Sequence, residues 1–233
     1  MPPRIGFSTG ALAFGDFEAG VRLLGEHQVP AVELSALRDK ELPPLVAALD
    51  RLPLADFSYI SFHAPSRLST LSEEQIVDLL KELLPRRWPI IVHPDAINDF
   101  SLWKPFGEWL CIENMDKRKP IGRTVDELNA IFEQLPEASF CFDIGHARQV
   151  DPTMCEAAFL LKAFGSRLKE VHMSEVLSNS KHAAMSLTAV SAFRKVAGLI
   201  PVDVPIILES VISPDKIEQE IKFAAFVLGR SHG

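Results

Sequence analysis

The chain is short of several things, and each shortage removes a class of protein. It has three cysteines, Cys111, Cys141 and Cys155, with no CxxC spacing. An odd number without paired spacing argues against a disulfide framework, and small reduced core residues are the expected use. No apolar stretch reaches the roughly 18 residues of a membrane span, and the opening MPPRIGFSTG lacks a basic-then-apolar leader. A soluble cytoplasmic protein is therefore expected. Positive charge is in deficit: net charge is −7 and the pI is near 5.5. That balance excludes a dedicated nucleic-acid-coating protein and leaves small-molecule enzymes open. There is no linker, no low-complexity run and no break in composition. The 233 residues read as one domain spanning the whole chain.

What is present is a repeat. Seven short apolar runs each end on a residue that can bind a metal: AVE at Glu33, SFH at His63, IIVH at His93, CIE at Glu113, FCFD at Asp143, EVH at His172 and IILE at Glu209. The steps between these end residues are 30, 30, 20, 30, 29 and 37, near the period of a recurring βα unit. With the opening run Arg4 to Ser8 this makes eight strands: 4–8, 31–34, 59–63, 89–93, 110–113, 139–143, 168–172 and 205–209. Helices are predicted from Asp16 to His27, near 41–51, from a capping box at Ser72, after Thr124, from 152 to 164, from 187 to 199, and from Pro214. Between 99 and 109 only a short Trp-containing crossover is expected.

Eight strand–helix units predict an α/β fold, a single (β/α)8 TIM barrel. Apolar runs without polar alternation suit parallel strands buried on both faces. The competing fold is a doubly wound open sheet. That fold wants a glycine-rich phosphate turn after the first strand, and GFSTGALAFG does not fit G-x-G-x-x-G.

In such a barrel the functional groups sit at the C-terminal ends of the strands. Glu113, Asp143, His172 and Glu209 end four successive strands, so they converge on one side of the mouth. Three carboxylates and an imidazole suit Mn²⁺, Mg²⁺, Co²⁺ or Zn²⁺, and without a cation the acids would repel one another. The competing use is local pairing of each acid with a nearby Arg or Lys. His63, His93, His146 and His182 fall in the same region, as a further metal position or a substrate wall. Glu33 could bond a ligand hydroxyl or pair with Arg4 or Arg38. Arg148 and Lys181 belong to a set of basic residues in the segments after the strands, with Arg38, Lys40, Arg67, Lys117, Arg118, Lys119 and Arg123, and could touch a phosphorylated substrate. His27 and His232 read as surface residues.

The strand ends E-N at 113–114, D-x-x-H at 143–146, V-H at 171–172 and L-E-S at 208–210 resemble the xylose-isomerase-like barrels, over the full length. That superfamily holds ketose epimerases and related isomerases as well as apurinic endonucleases. The epimerase branch implies one divalent ion (Mn, Mg or Co) on Glu113, Asp143, His172 and Glu209. Glu113 and Glu209 would then be the catalytic acid/base pair, moving a proton through a metal-stabilised enediolate of a sugar, sugar phosphate or polyol. The endonuclease branch implies a zinc cluster that adds His63 and His93 beside Glu113, with His146 and His182 toward a third ion. There the chain departs from the pattern, because Ser180 replaces an aspartate. The isomerase is the leading expectation, with a carbohydrate substrate, and the multinuclear zinc phosphodiesterase is the alternative. The acidic balance opposes duplex DNA but leaves a short or abasic strand open. The resemblance also suggests a homo-oligomer.

Overall fold

Parity decides what each strand does in this barrel. The computed structural model describes residues 4–229, so His232 lies outside the described residues. The strands are β1 (Ile5–Ser8), β2 (Ala31–Ser35), β3 (Tyr59–His63), β4 (Ile90–Val92), β5 (Leu110–Glu113), β6 (Ser139–Asp143) and β7 (Leu168–Met173). A two-stranded hairpin follows, β8 (Glu175–Val176) with β9 (His182–Ala183), and then β10 (Ile206–Leu208). Eight of these close a parallel barrel in the order β1-β10-β7-β6-β5-β4-β3-β2. β1 pairs with both β2 and β10, which rules out the open sheet.

On one parity Val32, Leu34, Phe62, Ile90, Val92, Ile112, Phe140, Phe142, Val171, Ile206 and Leu208 join a continuous apolar core with the surrounding helices. Each such buried side chain contributes about 1.5–3 kcal/mol. On the other parity the barrel interior is largely polar. Glu33, Ser35, Ser61, His63, Glu113, Asp143, Glu170 and His172 are all at most 3% exposed, and Ile91, Cys111 and Cys141 form a small apolar cluster among them. Interiors of this fold are usually filled with branched apolar residues. The strands thus alternate, contrary to the uniform apolar reading. Cys111 and Cys141 are the interior neighbours expected, whereas Cys155 is exposed.

The helices are α1 (Thr9–Ala13), α2 (Phe17–Glu26), α3 (Leu42–Ala48), α4 (Glu73–Lys81), α5 (Phe100–Trp103), α6 (Val125–Gln134), α7 (Ile144–Val150), α8 (Cys155–Phe164), α9 (Leu187–Phe193) and α10 (Ile217–Val227). Asp16 caps α2 by accepting from the Ala19 amide at 2.9 Å. Ser72 and Gln75 close a reciprocal capping box on α4. Thr124 caps α6, but Glu127 turns to the Arg123 amide and guanidinium instead of completing a box. α1, α7 and the hairpin have no counterpart in the sequence reading. Among the described residues no helix is long and apolar enough to cross a membrane.

Candidate metal centre

Glu113 stands at the end of β5 with its two oxygens turned to different neighbours. Oε2 lies 3.1 Å from His93 Nε2 and 3.4 Å from His63 Nε2. Oε1 lies 3.2 Å from His146 Nδ1 and 3.5 Å from His172 Nδ1. Two sets of potential ligand atoms share this residue. One is His63, His93 and Glu113; the other is Glu113, Asp143, His172 and Glu209. Within each set the atoms lie within 4.8 Å of one another. The four acids and imidazoles read from β5, β6, β7 and β10 therefore meet, and His63 at the end of β3 and His93 just after β4 face the other Glu113 oxygen, with His63 also within 4.8 Å of His172 and Glu209.

Local structure explains the convergence. Asp143 ends β6 and is also the N-cap of α7, accepting from the His146 amide through Oδ1 at 2.6 Å. The D-x-x-H spacing is thus a cap spacing, and it leaves Oδ2 aimed at the centre. Asn114 ties β5 to β6, donating from Nδ2 to the Asp143 carbonyl and accepting the Asp143 amide, both at 2.8 Å. Its own carbonyl sits 3.0 Å from His146 Nδ1. His182 arrives on β9, where Ser174 Oγ is 2.8 Å and Glu209 Oε2 3.4 Å from Nδ1.

Both Glu113 oxygens, Asp143 Oδ2, Glu209 Oε2 and His172 Nδ1 are buried without a hydrogen-bond partner. A buried carboxylate oxygen left unpartnered is costly, and here Glu113 Oε1, Asp143, Glu209 and His172 share one side while Glu113 Oε2 faces His63 and His93. Divalent cations on the two sides of Glu113 would satisfy them, so the donor set fits metal. Carboxylate oxygens and imidazole nitrogens together suit Zn²⁺, Mn²⁺ or Co²⁺.

The buried acids and imidazoles shift one another's protonation. Burial opposes charge on His63, but Glu113, Glu33 and Glu209 outweigh it and raise its pKa to about 9. Burial likewise opposes charge on His146, yet Asp143 and Glu113 raise it to about 10. Burial, with the neighbouring Glu113 and Asp143 anions, pushes Glu209 up to about 8. Burial and the nearby His146 charge press His182 down to about 3. Ligands must shed their protons before they bind. His63, whose pKa is raised to about 9, would have to lose its proton to bind a cation. Affinity should therefore rise with pH from about 6 to 9, as the raised His pKa values are approached. Titration calorimetry in buffers of different ionisation heat should show proton release. A flat affinity across that range would mean that cations do not displace these protons.

The remaining candidates lie at different distances from the centre. Glu33 is fully buried and pairs with neither Arg4 nor Arg38. Its Oε2 is 3.0 Å from His172 Nε2 and its Oε1 accepts from Ser35 Oγ. Arg4 instead lies over the Tyr59 ring, and Arg38 pairs with Glu41. Arg148 is held by Glu175 at 3.0 Å, and Lys181 is exposed in the hairpin loop. Arg123 pairs with Glu127, and Arg118 donates to the Asn179 carbonyl. Lys119 is the rim cation nearest the centre, 3.5 Å from His93 Nδ1 while bonded to Asp95 at 2.7 Å. Ser180 donates to buried Asp116 at 2.9 Å. The sequence reading quoted Asn114 in the E-N strand end without giving it a role, and it missed Asp116 and Glu170. Glu170 had a signal: it shares the inward parity of His172, two residues before it on β7.

No protein-family model matches the chain, and no curated protein does. Solved structures do. Endonuclease IV from Thermus thermophilus matches with a TM-score of 0.62 at 19% identity, over 97% of this chain and 99% of that one. A xylose isomerase domain protein from Alicyclobacillus acidocaldarius matches at 0.64 and 12%, over 98% of each. The fold is that of the xylose-isomerase-like barrels. A xylose isomerase-like TIM barrel protein from Mycobacterium smegmatis, described in complex with magnesium, matches at 0.57 and 12%, over 97% of each chain. At these identities the likeness to xylose-isomerase-like barrels speaks to the fold, and chemistry has to be argued from the side chains.

Proposed function

We propose that this chain is a divalent-metal-dependent phosphoester hydrolase whose centre takes at least two cations, zinc by its ligand set, bridged by Glu113. The observation that carries this reading is the division of the two Glu113 oxygens between two ligand sets. His63 and His93, packed against the far oxygen of Glu113, complete a second ligand set that a one-ion isomerase does not require. This moves the weight from the sugar isomerase expected from the sequence to its alternative.

His63, His93 and Glu113 would hold one cation, and Glu113, Asp143, His172 and Glu209 the other. Bound there, the cations supply charge neutralisation for a phosphoryl group and acidify a water enough to attack it. The chain's own residues set the rest. Side-chain exposure is 14% at His93, 25% at His182 and 11% at Glu209, against at most 4% for the other ligands and His146. Substrate therefore approaches across His93, His182 and Glu209. His182 is neutral and can donate to or accept from a substrate oxygen. Lys119 stands beside His93 as a positive charge for a phosphate.

A second reading keeps the isomerase. Glu113 Oε1 and Glu209 Oε2 flank His172 Nδ1 at 3.5 and 3.6 Å, so two carboxylates face one position, as an acid/base pair requires. The protein should be stripped of metal, reloaded with Zn²⁺, Mn²⁺ or Co²⁺, and assayed on bis(p-nitrophenyl) phosphate, an abasic oligonucleotide and a panel of ketoses and ketose phosphates. Chelator-sensitive phosphodiester cleavage is expected. Isomerisation of a ketose with no phosphodiester cleavage would overturn the hydrolase in favour of the second reading.

A further inference from the structure

His172 is a ligand with both ring nitrogens committed, and the commitments are unequal. Nδ1 faces Glu113 and Glu209 and has no hydrogen-bond partner. Nε2 points the other way, down the barrel axis, into two carboxylates. Glu170 Oε1 is 2.8 Å away and Glu33 Oε2 is 3.0 Å away. Glu170 sits two residues before His172 on β7, on the same inward face. Glu33 comes from β2, with β1 and β10 between. All three residues are fully buried.

We propose that Glu170 is a positioning residue which, with Glu33 opposite, locks the His172 ring so that Nδ1 is presented to the cation position shared with Glu113, Asp143 and Glu209. This rests on the metal-centre reading above. The chemistry is that of an imidazole with one proton to place. Two carboxylates at Nε2 hold the proton there, which leaves the lone pair on Nδ1. They also fix the ring's rotation. Turning it over would point carbon atoms at the cation position and lose both Nε2 contacts. Glu170 does not ligate that cation itself, because it meets the opposite edge of the ring.

The carboxylates are themselves held. Ser35 Oγ donates to Glu33 Oε1 at 3.2 Å, and Ser35 and Ser8 hydroxyls lie 2.5 Å apart. The Tyr59 phenol, on the inward face of β3, lies beside Glu170. Burying two acids beneath the mouth is costly, and an apolar filling would avoid that cost. A role at His172 accounts for their presence beside the apolar trio Ile91, Cys111 and Cys141.

The test is a Co²⁺ titration of the full chain, followed by visible absorption and calorimetry, with melting of the ion-free proteins as the check on folding. Wild type should show two classes of site. Glu170→Ala should weaken one class by about 100-fold and leave the other unchanged; Glu170→Gln, of the same shape, should weaken it by about 10-fold. The glutamine variant carries the test if the alanine variant does not fold. Unchanged affinity in both classes would overturn the proposal. So would a thiolate-to-cobalt band in wild type, since Cys141, Glu170 and His172 also come within 4.8 Å and would then hold a cation themselves. No cobalt uptake by wild type would overturn the metal-centre reading and this proposal together.

Discussion

Glu113→Gln should empty the centre of both cations and lower turnover by about 1000-fold or more, on the scale of losing a central electrostatic group. A carboxylate offers an acceptor at each oxygen, and this one divides them between the His63/His93 side and the His146/His172 side. An amide keeps one acceptor and turns an N–H₂ group toward the other side. There it meets cations or imidazoles that have no need of a donor. Asp143 belongs to only one of the two ligand sets, so Asp143→Asn should weaken only one position. Elemental analysis of purified protein should fall from about two ions per chain, as a two-metal site requires, to below one. Far-UV circular dichroism should be unchanged. Wild-type metal content in the variant would show that Glu113 does not bridge.

The second large effect concerns the barrel and not the chemistry. Gly6→Ala should lower the melting temperature by roughly 6–12 °C, from about 3 kcal/mol of overpacking in a chain of this size. A Cβ on Gly6 would lie 1.9 Å from the Ala31 carbonyl oxygen and 2.4 Å from its carbon. Those atoms are backbone, locked in the pairing of β1 with β2, where Gly6 faces Ala31. Relief requires the two strands to separate, which breaks barrel closure next to the Ser8–Ser35 contact. Gly25, near the end of α2, is the control. Nothing lies within 4 Å of the position its Cβ would take, so Gly25→Ala should stabilise by about 0.5–1 kcal/mol. Equal melting temperatures for the two variants would mean that the close approach of β1 to β2 has been misread.

The barrel was legible because a parallel strand in this fold ends at the functional rim. The end residue is therefore polar while the strand before it is apolar. Glu113, Asp143 and His172 are the last or near-last residues of their strands, as that rule requires. His93 and Glu209 fall one residue beyond theirs, which leaves their place at the rim unchanged. The runs read as uniformly apolar because Ile91, Cys111 and Cys141 occupy inward positions in three of them. The polar interior is built from Glu33 and Ser61, single residues flanked by apolar ones, and from Glu170, which follows Lys169. Only closing the barrel brings them together.

α7 escaped notice because a helix starting directly on a strand's last residue has no loop to announce it, and Asp143 serves as both ligand candidate and cap. The hairpin of β8 and β9 is two residues a side, too short for any periodicity to register. It is nevertheless what brings His182 to Glu209. The split orientation of Glu113 depends on a side-chain torsion and on neighbours 50 residues before and 59 after it, His63 and His172. Nothing in the spacing of the run ends carries that information.

The central claim is that Glu113 joins two cation positions. The most direct measurement is anomalous diffraction at the zinc edge from crystals grown with Zn²⁺ after metal stripping. The account predicts two strong peaks, one among His63, His93 and Glu113 and one among Glu113, Asp143, His172 and Glu209, with a different Glu113 oxygen toward each. A single peak in the second group, with His63 and His93 bonded only to protein, would contradict it.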